Sequence, residues 1–467
     1  MSSAPVVTRF APSPTGALHL GNARTALFCA LLARRHGGRF LLRIEDSDRA
    51  RSAEAYTATL VEDLRWLGLD WDLGPGVGAP EQWRQSARLG IYAAELERLA
   101  AAGHAYPCYC SPAELESERR AQLAAGRPPR YAGTCRGLDA AARARRDAAG
   151  RRPAWRFRVP RGRQIVFDDL VHGAQSVASE ELGDFVLRRE DGSPAFFFCN
   201  AVDDALMGVT HVLRGEDHLA NTPRQLLILE ALGRNAPRYG HVALLTGADG
   251  VPLSKRHGAT SLAEFRARGY APAALRNLLF RLGHSSPETA LLEPAAMAEH
   301  FEIAHLQRAS ARFDPVQLGH WQSLWVRSLD PAAALAWLGP QLEAVPAALR
   351  ERFVTAVLPN VTLPDDARVW AGILFGSEVP TSPEAEATIA ATDGAFFAAA
   401  AEAAAGPEVD VARLRAATGA RGAALYAPLR AALTGRLHGP ELGALLGLMP
   451  PATVRARLRL RVVSEGR

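Results

Sequence analysis

Cysteine is scarce in this sequence and long apolar runs are missing. Five cysteines occur in 467 residues, an odd number, and three of them cluster at positions 108, 110 and 135. That usage excludes a disulfide framework and points to a reducing compartment, with the clustered three as metal ligands or as free thiols. No stretch approaches the roughly 18–20 apolar residues that a membrane span requires. The start Met-Ser-Ser-Ala-Pro has neither the basic residues nor the apolar core of a signal peptide. A cytoplasmic protein without a membrane partner is expected. Neither sign of charge dominates: 54 basic against 49 acidic side chains leave +5, with a pI near 9.1. This mild bias suits a polyanionic partner without demonstrating one. Internal repeats and low-complexity tails are also lacking, and a chain of this length can bury several cores, so two to four domains are expected.

What is present is organised by residues 9–24, Arg-Phe-Ala-Pro-Ser-Pro-Thr-Gly-Ala-Leu-His-Leu-Gly-Asn-Ala-Arg. The stretch follows Val6 and Val7 and opens an amphipathic run with Leu27, Phe28, Leu31 and Leu32. A strand, a Pro/Gly loop and a helix stopped by Gly37 and Gly38 are predicted. Arg39–Glu45 reads as the next strand, giving a β-α-β unit with parallel strands. Gly21 would let a phosphate approach the helix N-terminus, where free N–H groups and the helix dipole favour an anion. His19 stands at the mouth of the same loop. Far downstream, residues 249–258 form a glycine-bracketed loop carrying Ser254, Lys255 and Arg256.

Between these motifs, Glu45 ends a predicted parallel strand, where open α/β sheets place ligand groups. A helix with Tyr56, Leu60, Leu64 and Leu67 on its buried face follows, stopped by Gly68. From about residue 85 the pattern changes. A helical segment ends in Tyr106-Pro-Cys-Tyr-Cys110, and strand-like runs follow at Trp155–Val159, Gln164–Phe167 and Asp184–Arg189, which reads as an insertion splitting the first fold. Cys108, Cys110 and Cys135, with Tyr131 as fourth candidate, have the makings of a structural zinc site. The second half resumes at Pro194, and a strand at Val209–Leu213 leads into Arg214 at the same sheet rim as Glu45. Thr222, Pro223 and Gln225 then read as N-cap, first position and capping box of a helix buried by Leu226, Ile228, Leu229 and Leu232. Periodic Leu275, Leu278, Leu279 and Leu282 mark another helix. From about 331 the chain is Ala/Leu-rich and helical. Its terminal arginines 455, 457, 459 and 461 are read as a solvated face or as RNA contacts.

The segments RFAPSPTGALHLG, RIEDSD, DDALMGVTHVLRGEDHL and LSKRHGAT resemble those of bacterial glutamyl-tRNA synthetases, class I aminoacyl-tRNA synthetases. The resemblance runs to about residue 285 and is weaker beyond, where LRAALTGRLHGPEL looks like the family's C-terminal region. It implies an α/β fold: a Rossmann-type parallel-sheet catalytic domain (1–84 and 199–260) with an α+β acceptor-binding insertion (85–198). A helical stem-contact domain (261–330) and an all-helical anticodon-binding region (331–467) would follow. It implies ATP-dependent ligation of L-glutamate to tRNA through glutamyl-adenylate, tRNA-Glu being the expected cognate. Charging of tRNA-Gln and a non-catalytic tRNA-binding paralogue are the alternatives. His19 and Lys255 would be catalytic, and His19, Gly21, Ser254, Lys255 and Arg256 would bind ATP. Arg9, Ala11, Ser13, Glu45, Phe196, Asn200 and Arg214 would hold glutamate, with Arg9 making a two-pronged contact to its side-chain carboxylate. Mg2+ is expected with ATP, Zn2+ as a structural ion, and a monomer as the working form. Three positions depart from the family pattern. Pro252 replaces a frequent lysine, Phe196 a frequent tyrosine, and Gly137 stands where some relatives supply a zinc ligand.

Overall fold

The computed structural model describes residues 5–47, 54–253, 261–376, 378–406 and 409–462. The chain divides into two compact units, one comprising Met1–Glu264 with Arg276–Asp314, the other Phe265–Leu275 with Pro315–Arg467.

The first unit is built on a four-stranded parallel sheet. Val-Thr-Arg-Phe forms β1 (Val7–Phe10), every residue of it buried. Helix α1 (Leu20–Arg35) returns the chain to β2 (Arg39–Leu42), which pairs in parallel with β1 from Val7↔Arg39 to Phe10↔Leu42. Gly37 makes the reversal in the left-handed region at φ +59. Helix α1 is not amphipathic as the sequence pattern predicts. Ala23 through Ala33 are buried without interruption, because the sheet covers one side and Phe301 packs on Phe28 from another, with ring centroids 5.3 Å apart. A helix enclosed all round is a core helix, and only its ends meet solvent.

After the insertion come helix α2 (Phe196–Leu206), β3 (His211–Gly215), helix α3 (Thr222–Ala231) and β4 (Arg238–Val242). The strand order is β2-β1-β3-β4. The chain runs outward from β1 in one direction and then resumes on its other side, so the order reverses between β1 and β3. A crevice opens at the carboxyl ends of strands flanking such a switch point. In the β3–β4 ladder Arg214 lies directly opposite His241.

The insertion holds a three-stranded antiparallel sheet, Ala105–Cys108, Ala154–Phe157 and Val186–Arg188, and a hairpin of Gln164–Asp169 with Gly173–Ala178. The strands Ala105–Cys108 and Gly173–Ala178 escape the sequence reading. The first is masked by its cysteines and proline, the second by glycine, serine and alanine. The hairpin docks on β4, where Leu170 N donates to Tyr239 O at 2.8 Å. Gly240 admits it: a Cβ there would lie 2.8 Å from Leu213 Cδ2 and 3.2 Å from Leu170 Cβ. In the helix Glu54–Trp66, Leu60 and Leu64 are buried as expected, but Tyr56 is 42% exposed, since the helix's first turn projects beyond the core.

The second unit is helical throughout its described residues, around a core that includes Phe353, Trp370, Phe397, Leu429 and Leu458. Arg457 corrects the reading of the terminal arginines as one exposed face. It is buried, donating to Leu433 O at 2.7 Å and to Gly376 O at 3.1 Å, and so ties the last helix to its neighbours. No helix of the described residues is long and apolar enough to cross a membrane. The substitution Gly240→Val is expected to unseat the hairpin from β4 and to lower stability by about 1–3 kcal/mol, read as a fall in the urea midpoint.

Candidate active site

A cavity of about 290 Å³ opens at the switch point. The chain leaving β1 supplies Ala11, Pro12 and Ser13. The first turns of α1 supply Gly21, Asn22, Arg24 and Thr25, and the residue after the β2 rim supplies Glu45. Phe196 and Asn200 come from α2, and Arg214 comes from the end of β3. Arg9 completes the floor. All seven residues expected to hold glutamate, and Gly21, therefore share one crevice.

His19 lies just outside the cavity lining, at the N-cap of α1, and is exposed. No side chain caps this helix start, and its first turn carries no acidic residue. Its leading N–H groups are free for an anion. A Cβ placed on Gly21 would meet nothing within 4 Å, so the approach is open. Ser254, Lys255 and Arg256 lie outside the described residues. The residues flanking them are anchored to the crevice. On one side Leu253 N donates to Leu245 O at 3.0 Å, and Leu245 lines the cavity. On the other, Ser261 bridges His19, and Leu262 N donates to Leu18 O at 3.0 Å. Pro252 sits in a bridge to Thr246.

Under the crevice three arginines meet three carboxylates. Arg43 donates to Asp204 at 2.7 Å and to Glu45 at 3.0 Å, and lies 3.8 Å from Asp203. Arg88 pairs with Asp203 at 2.8 Å, whose other oxygen accepts from Gln85 at 2.9 Å and Tyr92 at 2.8 Å. Arg9 grips Asp204 through Nε at 3.1 Å and Nη2 at 3.4 Å. Asn200 joins the halves, donating to Glu45 at 2.5 Å and accepting from Arg43 at 3.1 Å and Arg9 at 3.4 Å. Burial pushes the Glu45 carboxyl upward against the pull of Arg43. For Asp204 burial also pushes upward, but Arg9 and Arg43 outweigh it and hold the group below its ordinary value. The forked edge of Arg9 is thus occupied by Asp204. Among the described residues Nη1 has Leu213 O, at 3.5 Å, as its one acceptor.

Arg214 is different. It is 6% exposed, and no carboxylate among the described residues lies within ion-pair distance. Its Nε donates to His241 Nε2 at 3.0 Å and its Nη2 to Thr222 Oγ1 at 2.7 Å, while the buried Nη1 has no partner. Of five N–H donors, three stay unused. Thr222 therefore does not close a capping box. It is the first helical residue, its hydroxyl serves Arg214, and Gln225 is buried without a partner.

Several lining or supporting residues had no assigned role in the sequence reading. Arg43, Asp203 and Asp204 lie inside quoted motifs, and adjacent acidic residues followed by an apolar run were the available signal. His218 stacks on Phe196 at 5.4 Å and covers the cavity rim. Asp169 and His241 carried no signal, because their pairing depends on hairpin docking. Lys255 carries a sequence signal of its own: of 54 lysine and arginine residues it is the only lysine.

The three cysteine sulfurs of the insertion lie within 4.8 Å of one another. Cys110 Sγ is 3.6 Å from Cys135 Sγ, and Tyr131 OH is 3.3 Å from Cys108 Sγ and 3.7 Å from Cys110 Sγ. A tetrahedral zinc with Zn–S near ~2.3 Å has ligand–ligand edges of about 3.5–3.8 Å. The Cys110–Cys135 and Cys110–Tyr131 separations match that figure, the Cys108–Tyr131 one is slightly shorter, and the Arg156 guanidinium lies 3.8 Å above the Tyr131 ring.

The family model of class I tRNA synthetases (E and Q), catalytic domain, matches residues 5–320, and the chain belongs to this family. It is 53% identical over 466 residues to glutamate--tRNA ligase 2 of Alkalilimnicola ehrlichii, covering 98% of each chain. It is 52% identical over 468 residues to glutamate--tRNA ligase 1 of Halorhodospira halophila, covering 98% of this chain and 97% of that one. Among solved structures, a glutamate-tRNA synthetase from Elizabethkingia anophelis superimposes with a TM-score of 0.88 at 27% identity, over 98% of this chain and all of that one.

One titration follows from the site. Burial pushes Asp169 upward, but hydrogen bonds from His241, His172 and Val171 outweigh it and bring it to about 2 from 3.8. A depressed carboxyl stabilises the fold fully above its unfolded value and loses that contribution as pH falls through the folded one. Asp169→Asn is expected to flatten the loss of melting temperature between about pH 4 and pH 2, measured by calorimetry against the unaltered chain.

Proposed function

We propose that this chain ligates L-glutamate to tRNA in two steps. A glutamate α-carboxylate oxygen attacks the α-phosphorus of ATP, forming glutamyl-adenylate and releasing pyrophosphate. A hydroxyl of the terminal tRNA ribose then attacks the acyl carbon, and AMP leaves. Little covalent work falls to the protein, so positioning and charge stabilisation carry the rate. The observation that carries the reading is the crevice itself. An uncapped helix start with an open approach faces a buried arginine that has donors to spare and no internal carboxylate. The relatives named above as glutamate--tRNA ligases support it over nearly the full chain.

His19 and the first N–H groups of α1 hold the ATP phosphates, with Ser254 and Arg256 beside them, and Lys255 stabilises the charge on departing pyrophosphate. Lysine is suited to this because its compact ammonium follows a moving phosphate, where a guanidinium fork prefers one plane. The substrate's side-chain carboxylate takes the free edge of Arg214, aided by Arg9 Nη1. Glutamine would leave a buried donor facing an amide NH2, at about 1–3 kcal/mol. Ala11, Ser13, Glu45, Phe196 and Asn200 shape the rest of the pocket. Phe196 offers no hydroxyl, which weakens glutamate binding by about 0.5–1.5 kcal/mol without changing the substrate. Mg2+ accompanies ATP, the cognate is tRNA-Glu, and the working form is a cytoplasmic monomer. Cys108, Cys110, Tyr131 and Cys135 hold a structural zinc that stiffens an insertion lobe whose own core is small.

Glutamate-dependent ATP–pyrophosphate exchange, run with tRNA present, tests the reading. Glutamine is expected to give no exchange, and Lys255→Ala to lower kcat by about 10²–10³-fold. Because the sequence holds one lysine, an amine-directed reagent should abolish exchange with ATP protecting, and absence of exchange with any tRNA would overturn the assignment. Elemental analysis is expected to find one zinc per chain, and Cys110→Ser to lose it.

A further inference from the structure

The candidate glutamate clamp is held from outside the catalytic sheet. Asp169 ends the insertion strand Gln164–Asp169, and its side chain is completely enclosed. Oδ1 accepts from Val171 N and His172 N, each at 2.9 Å, and from His241 N at 3.2 Å. Oδ2 meets His241 Nδ1 at 2.5 Å. An ionised carboxylate can only accept, so Nδ1 carries the ring proton and Nε2 presents its lone pair. That lone pair receives Arg214 Nε–H at 3.0 Å. Thr222 Oγ1 stands 3.2 Å from the same nitrogen and takes Arg214 Nη2 at 2.7 Å, closing a triangle. The Tyr239 ring lies parallel to His241, 6.4 Å away, and under the Arg214 guanidinium at 5.3 Å. With one edge fixed by His241 and Thr222, the guanidinium has a single orientation, and its unused donors are those left over.

We propose that Asp169 and His241 are positioning residues for amino-acid selection: the insertion hairpin, through the proton on His241 Nδ1, fixes the face that Arg214 shows to the substrate carboxylate. This rests on the reading of Arg214 as the carboxylate clamp. It makes the 164–178 hairpin part of the amino-acid pocket, although none of its residues lines the cavity. With Asn at 169 the amide NH2 would face Nδ1, the ring proton would move to Nε2, and two donors would oppose each other at Arg214.

The test is exchange kinetics on the full chain with tRNA present, reading KM for glutamate and for ATP separately. Asp169→Asn and His241→Phe are expected to raise KM for glutamate at least about 10-fold and to leave KM for ATP within about two-fold. His241→Gln retains an acceptor for Arg214 and should stay within about three-fold of the parent. In the pair Asp169→Asn/His241→Gln no recovery is expected, since the amide NH2 introduced at 169 and Arg214 Nε–H both donate, and one amide at 241 cannot accept from opposite sides. Equal rises in both KM values, or His241→Gln as damaged as His241→Phe, would assign the pair to folding alone and overturn the proposal. If Asp169→Asn does not fold, the His241 comparison decides. Arg214→Ala with unchanged KM for glutamate would sink the underlying reading of the clamp instead. A large rise there with unaltered Asp169 and His241 variants would sink this inference only.

Discussion

The buried arrangement of Arg9, Arg43 and Arg88 with Glu45, Asp203 and Asp204 is the constraint on which the rest of the first unit depends. Charges taken out of water are tolerated only when partners and hydrogen bonds replace the lost hydration, and losing one partner from such a group typically costs about 3–5 kcal/mol. Here the partners come from β1, the segment after β2, the start of the insertion and α2. The pairing therefore welds elements that lie up to 195 residues apart in sequence. It also decides where Glu45 and Asn200 point, because each is held by arginine on one side and faces the cavity on the other.

The same arrangement redistributes work between the two arginines assigned to the substrate. Arg9 looked like the two-pronged clamp because it opens the first motif, yet its fork is closed on Asp204. Arg214 was expected among the glutamate ligands at the same sheet rim, and its hydrogen-bond partners among the described residues are a histidine nitrogen and a hydroxyl. An arginine with a carboxylate already in its fork is structural cement. An enclosed arginine hydrogen-bonded only to a histidine and a hydroxyl has no ion-pair partner among the described residues, and burial lowers its pKa to about 10. The second condition suits a site that must wait for an anion.

Much of the fold was legible from local pattern. The β-α-β start, the helix stops at Gly37 and Gly68, the parallel sheet interrupted by an insertion and the helical second unit all follow from periodicity and punctuation, and one crevice gathers the seven residues that the resemblance named. What failed needed tertiary knowledge. Thr222 has the sequence of a helix cap, and only the neighbouring strand reveals that its hydroxyl is claimed by Arg214. Helix α1 has polar residues at intervals but is sheathed, since Arg24 reaches the Leu282 carbonyl at 3.1 Å rather than solvent. Arg457 sits in a row of arginines that look alike until the helix is packed. Asp169 stands beside Asp168 in sequence, and strand alternation alone sends one inward and leaves the other out.

The parallel register adds a geometric stake. Because Arg214 and His241 face each other rung for rung across β3 and β4, their relation is set by chain length between fixed points rather than by side-chain identity alone. Losing a single residue within 209–213 or 236–240 would shift the ladder one step and turn each side chain to the opposite face of the sheet. Substitutions along these strands test individual atoms. A deletion within 209–213 would instead move Arg214 opposite Gly240, and one within 236–240 would set it opposite Val242, leaving the molecule its hydrogen-bonded sheet but no acceptor for the guanidinium. In this part of the chain, counting residues is itself a form of molecular recognition.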